Sequence, residues 1–164
     1  MNTQEKAHSG ATNDLNFESQ VVIDASIDKI FEAITEKIDS WWTTVFTGAS
    51  SNEGDIFTAR FGPNIFKTIR IDSIVPSTSI VWGVIDAVID IPELQNQKEW
   101  VGTSIEWHLS TKSGKTIVRL RHIGLTPQVK CYTICESGWK SFLASLVDYV
   151  ETGKGTPYLP QHNP

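Results

Sequence analysis

The sequence predicts one α+β domain in which a curved antiparallel sheet of about six strands wraps a long C-terminal helix. Three observations predict it. Period-two hydrophobic runs gather between Gly54 and Ile123, the longest helical pattern follows them, and two short helical patterns come directly after an isolated first strand. Strands grouped apart from helices belong to the α+β class rather than to an alternating α/β chain.

The elements follow in order. A β-like run covers Phe17 to Ile23, after which Ser26 stands as a helix N-cap and Asp28 lies in the first turn, where the helix dipole favours an acid. Ile27, Ile30, Phe31 and Ile34 recur at helical spacing, and a second short helix is drawn from Glu36 to Trp42. Strands are expected at 55–61, 65–74, 79–85, 103–110 and 115–123. The breaks Gly62-Pro63-Asn64, Pro76-Ser77-Thr78 and Lys112-Ser113-Gly114 are short enough for hairpins. Asp86 to Val101 is long for a hairpin loop and Pro92 interrupts pairing, so a strand extension or a short helix is expected there. After Pro127 a helix of about six turns is expected from Gln128 to Glu151, closed by Gly153. Tyr132, Cys135, Trp139, Phe142, Leu143, Leu146 and Val150 make its apolar stripe.

With 164 residues, 40% of them hydrophobic and 20% charged, the chain can bury one ordinary core. Its two cysteines are therefore not a disulfide framework. The net charge is −5 and the 14 Lys and Arg residues are scattered singly, which excludes a track for nucleic acid. No run of eighteen apolar residues exists, and Met1 to Asn16 is polar with no signal-type segment. No membrane partner and a cytoplasmic location are expected. The domain is read as 17–155, with a flexible tail at 1–16 and a C-terminal tail at 156–164.

The residues Glu99-Trp100-Val101-Gly102-Thr103, Ile105-Glu106-Trp107, His122-Ile123-Gly124-Leu125, Cys131-Tyr132, Cys135, Gly138-Trp139 and Thr152-Gly153-Lys154-Gly155 together resemble a known family. The chain is similar to the START-like, or SRPBCC, superfamily, and within it to bacterial proteins grouped with the activator of heat-shock-protein-90 ATPase homologues. This resemblance implies the helix-grip (Bet v 1-like) fold, with a cavity between the sheet and the last helix. It also implies a range of functions: binders of lipids, polyketides or hormones, polyketide cyclases, dehydratases or hydrolases, and chaperone cofactors. Fold alone does not choose among them. The acidic residue common in the family before the first helix cysteine is Lys130 here, so no role is carried over to that position.

Alternation places Ile105, Trp107 and Leu109, and Val118, Leu120 and His122, on the face toward the helix, with Glu106, His108, Arg119 and Arg121 outward. His122 ends its strand and is expected at the cavity rim. There it is either a ligand donor or general base, or a histidine bonded to backbone. Cys131 and Cys135, four apart on one helix face, could share a metal with His122, yet no zinc spacing and no fourth ligand is present. Two buried thiols, no metal and no cofactor are expected.

Trp82, Trp107 and Trp139 read as interior, and with His122, Cys135, Gly138 and Phe142 they form the candidate ligand-binding set. An ordinary aromatic core accounts for the same tryptophans. One of Trp41 and Trp42, being adjacent, is expected to be exposed at a mouth or partner surface. Gly138, in mid-helix, implies either a close approach of helix to sheet or room for a ligand, and close packing is the expected case. No paired carboxylates, nucleophile motif or phosphate loop appears. The leading function is binding of a small apolar or aromatic ligand, which at drug size needs a pocket of about 300 Å³ or more. A chaperone or other protein partner ranks next, and an enzyme using His122 as acid or base last.

Overall fold

The computed structural model of the chain describes residues 15–92 and 94–160. Strand β1 (Phe17–Ile23) is followed by helices α1 (Ile27–Glu36) and α2 (Ile38–Trp41). Six strands come next: β2 (Phe46–Gly48), β3 (Ile56–Arg60), β4 (Ile65–Val75), β5 (Ser79–Ile89), β6 (Ser104–Lys112) and β7 (Lys115–Ile123). The long helix α3 (Tyr132–Thr152) follows them. All seven strands join one antiparallel, unclosed sheet in the order β1-β7-β6-β5-β4-β3-β2. This is the helix-grip fold. The register between β4 and β5 shifts at Thr68/Ile69 and at Ile71/Ser73, and such bulges bend a strand and curl the sheet around the helix.

The strand count is seven rather than six because β2 is a three-residue edge strand, too short to show alternation. The uncertain stretch after Ile85 resolves in part as a strand extension, since β5 runs on to Ile89. Parity holds on the last two strands. Ile105, Trp107, Leu109, Val118, Leu120 and His122 are buried, while Arg119 and Arg121 pair with Glu18 on the outer face and Glu106 joins them from β6. Exposed pairs of this kind contribute little to stability.

Ser26 caps α1, its hydroxyl accepting the Lys29 N–H at 3.3 Å. Trp41 and Trp42 are both buried, contrary to the expected exposure of one. The two adjacent rings do not diverge: they stack on each other at 6.1 Å and join the same aromatic cluster. The Trp41 indole donates to the Ala33 carbonyl of α1 at 2.8 Å, and Trp42 stacks between Trp82 and Trp139.

Helix α3 starts at Tyr132, four residues later than its pattern implied, because 127–131 form turns. Its N-terminus has no side-chain cap of its own. The Glu99 carboxylate, some thirty residues back, accepts the N–H groups of Lys130 and Cys131, each at 3.0 Å. An acid there satisfies orphan donors and complements the helix dipole. Gly153 ends the helix in the left-handed region at φ 87°. The chain then passes so close to α2 that a Cβ on Gly155 would lie 2.7 Å from the Ser40 carbonyl oxygen. Thr156 N–H donates to Ser145 Oγ, which in turn donates to the Trp41 carbonyl. Tyr158 is thereby brought beside Thr43, its N–H donating to the Trp42 carbonyl at 2.9 Å. Of the expected N-terminal tail, residues 1–14 lie outside the described residues. Asn16 accepts the Gly124 N–H at 3.0 Å.

Candidate ligand-binding pocket

A pocket of about 210 Å³ opens between the N-terminal half of α3 and the β3–β5 side of the sheet. Trp42, Trp100, Trp139, Phe61 and Phe142 supply its apolar surface, and Lys67, Cys135 and Tyr158 are its polar members. Three of the indoles are nearly parallel. Trp139 lies between Trp42 (5.5 Å, 12°) and Trp100 (5.9 Å, 13°). A Cβ built on Gly138 meets nothing within 4 Å. The expected close packing of this glycine is therefore corrected: at this level α3 stands off from the sheet, and the missing side chain adds to the open space.

Two of these indole donors are tied back into the protein. Trp139 Nε1–H donates to His122 Nδ1 at 3.0 Å, and Trp100 Nε1–H donates to Cys135 Sγ at 3.1 Å. Because His122 Nδ1 accepts, the proton of the neutral ring sits on Nε2 and is given to Thr103 Oγ1 at 2.8 Å. Thr103 passes its own hydroxyl proton to the Trp100 carbonyl at 2.7 Å. This chain links β7, α3 and the loop before β6, and it holds two pocket walls in place. Burial first, and then the Lys67 charge, push the His122 pKa down to about 3. The ring is neutral at physiological pH, fully buried, and absent from the pocket wall. Its expected rim position is corrected, because the Thr103–Trp100 loop covers that end of β7.

Lys67 projects from β4 on the same face as buried Ile69 and Ile71, and its Nζ lies 4.2 Å from the Phe61 ring centre and 4.6 Å from that of Trp100. Burial lowers its pKa to about 8, against an upward pull from the thiols of Cys135 and Cys131. Those thiols share a hydrogen bond, Sγ to Sγ at 2.7 Å. That contact holds Cys135 below the ordinary thiol range, assisted by the Trp100 N–H and the Lys67 charge, and it drives Cys131 up. Both cysteines are free.

Of the candidate residues, Cys135, Gly138, Trp139 and Phe142 meet at the pocket, whereas Trp82, Trp107 and His122 lie behind it. Trp82 and Trp107 are fully buried with indole nitrogens that have no hydrogen-bond partner, and they pack edge-on at 5.2 Å. Inward parity placed them in the core, but parity does not say whether the helix covers a position. Sequence reasoning did not place Lys67 in the pocket. The signal was present, since Ile65, Lys67, Ile69 and Ile71 alternate and put the lysine on the core face. Trp100 and Tyr158 come from irregular segments that show no period.

Residues 24–151 match the family described as activator of Hsp90 ATPase homolog 1-like protein. The chain belongs to that family. Among solved structures this Hsp90-ATPase-activator-like chain is similar to the Aha1 dimer of Colwellia psychrerythraea, at 28% identity and TM-score 0.69 over 85% of this chain and 98% of that one. It is also similar to DynU16, a protein of the dynemicin biosynthetic locus, at 21% identity and TM-score 0.69 over 90% of this chain. The match spans about half of DynU16, 51% of its length. CalU16 of Micromonospora echinospora matches at 18% identity and TM-score 0.63, over 87% of this chain and 77% of that one. The last two likenesses are of fold. No curated protein matches the chain. No helix among the described residues is long and apolar enough to cross a membrane.

Proposed function

We propose that this family member binds a compact, largely apolar molecule in the pocket between α3 and the sheet. The observation that carries the reading is the open space at Gly138, walled by Trp42, Trp100 and Trp139, of which Trp100 and Trp139 have their N–H donors already satisfied and therefore offer carbon surface. Volume limits the occupant. Drug-sized ligands fill pockets of about 300–1,000 Å³, so 210 Å³ is below the size expected from the sequence. An apolar cavity of about 150 Å³ is nonetheless enough to take up benzene. One ring with a short substituent is the scale that fits, and a folded polyketide is not.

NMR titration with one-ring probes, 3-phenylpropionamide among them, tests this by following the indole N–H signals of Trp100 and Trp139. Saturable shifts in the wild type that vanish in Gly138→Leu are expected. Absence of any shift across the panel would overturn the reading. The likeness to Aha1 favours a second reading, contact with a chaperone, and calorimetric titration of an Hsp90 middle domain tests it. The acid–base reading of His122 gains nothing from the geometry, because both ring nitrogens are already bonded and the ring does not reach the pocket.

A further inference from the structure

The pocket contains a cation without a carboxylate partner. Lys67 is on its wall, and among the described residues no carboxylate pairs with it, although every other close Lys or Arg contact with an acid lies on the outer surface. The groups that face it are the Cys135 and Cys131 thiols of α3, the neutral His122 ring of β7 and the Phe61 and Trp100 rings. Two aromatic faces return part of the hydration that the ammonium loses, but they carry no net charge. An ammonium in apolar surroundings is unfavourable unless an anion meets it, and a position that keeps one with thiols and rings but no carboxylate beside it points to an anion from outside. With its pKa near 8, the group is still mostly charged at neutral pH.

Resting on the pocket reading above, we infer that the ligand is a small carboxylic acid, its apolar body against Trp100, Trp139 and Phe142 and its carboxylate on the Lys67 ammonium. Geometry limits the acid to one anionic group, since the pocket holds a single cationic side chain and the surface around it is carbon. A carboxylate placed there meets the ammonium where water is scarce and screening is weak, so charge contributes to selectivity and not only to encounter.

The test compares 3-phenylpropionate with 3-phenylpropionamide, which match in shape and differ in charge, by NMR titration at pH 7 on the wild type, Lys67→Met and Lys67→Arg. The acid is expected to bind the wild type about tenfold more tightly than the amide. Lys67→Met should erase that preference by weakening the acid alone, and Lys67→Arg should keep most of it. Equal affinities in the wild type would overturn the inference and leave the pocket reading standing. A preference that survives in Lys67→Met would place the anion elsewhere and overturn it too. If neither probe binds the wild type, the inference falls, and the pocket reading falls with it when the rest of the one-ring panel is silent too. The wild-type comparison stands whatever the folding of the variants, and Lys67→Arg retains the charge as a second check.

Discussion

The six tryptophans form two layers that differ in how they are held. Trp41, Trp82 and Trp107 make the inner layer, fully buried and packed edge-on or offset against one another at 5.2–5.7 Å where they touch. Two of its three indole nitrogens have no partner, so shape and apolar burial hold this layer. Trp42, Trp100 and Trp139 make the outer layer on the pocket wall, nearly parallel, with Trp100 and Trp139 fixed by hydrogen bonds to Cys135 and His122. A filled core tolerates an orphan donor when every other contact is good. A wall beside open space lacks packing on one face and takes its position from polar ties instead.

The largest effect expected from this contrast is at Trp107. Its replacement by Ala empties a site closed on all sides and should lower stability by about 3–5 kcal/mol in urea titration. A loss under about 1 kcal/mol would show that the inner layer is not tightly packed.

The polar ties of the outer layer should respond to pH. Native His122 stays neutral down to about 3, whereas an unfolded histidine takes up a proton near 6.5. Between those values the unfolded state binds more protons, so stability falls as pH falls, by at most about 1.4 kcal/mol per pH unit. Chemical denaturation of wild type and His122→Gln between pH 7 and 5 checks this above the range of most carboxylates. The expected result is a shallower slope in the variant, and parallel slopes would remove His122 from the account.

Glu99 sharpens the comparison further. Glu99→Ala should cost about 1 kcal/mol through the exposed N-terminus of α3. The same change should loosen Trp100, and so weaken binding of a pocket ligand more than it weakens the fold. Equal losses would mean that the capping contact does not position the wall.

The smallest change in stability is expected at Gly138, where the added methyl group meets open space. Gly138→Ala should raise stability by up to about 1 kcal/mol from helix propensity. It should reduce affinity for a one-ring ligand at the same time. A destabilised variant would show that the helix is closer to its neighbours than the structure has it.

Much of the fold was legible because the signals for it are local. Ile105, Trp107 and Leu109 alternate with Glu106 and His108, and that alternation is enough to assign the faces of β6. Ser26 marks a helix start by its side-chain hydroxyl, and Gly153 a helix end by the left-handed backbone that a missing Cβ allows. Lys67 was equally legible by parity on β4, where it shares the face of Ile69 and Ile71. Trp41 and Trp42 show the opposite limit. Adjacency implied opposed directions, yet the two rings stack on each other, and their burial depends on Trp82, Trp107 and Trp139 from distant parts of the chain.

The sequence by itself determined most of the strands and helices, which face of β6 and β7 is apolar, and hence that Trp107 is in the core. Those properties repeat every two or 3.6 residues, and each is set by near neighbours. The tertiary structure alone decided that Glu99 caps a helix begun some thirty residues later, that Trp100 and Tyr158 reach the pocket, and that Gly138 borders open space rather than a wall. Each depends on the distance between elements that are not adjacent in sequence. That distance is the outcome of every side chain packed between them, and no periodic pattern along the chain encodes it.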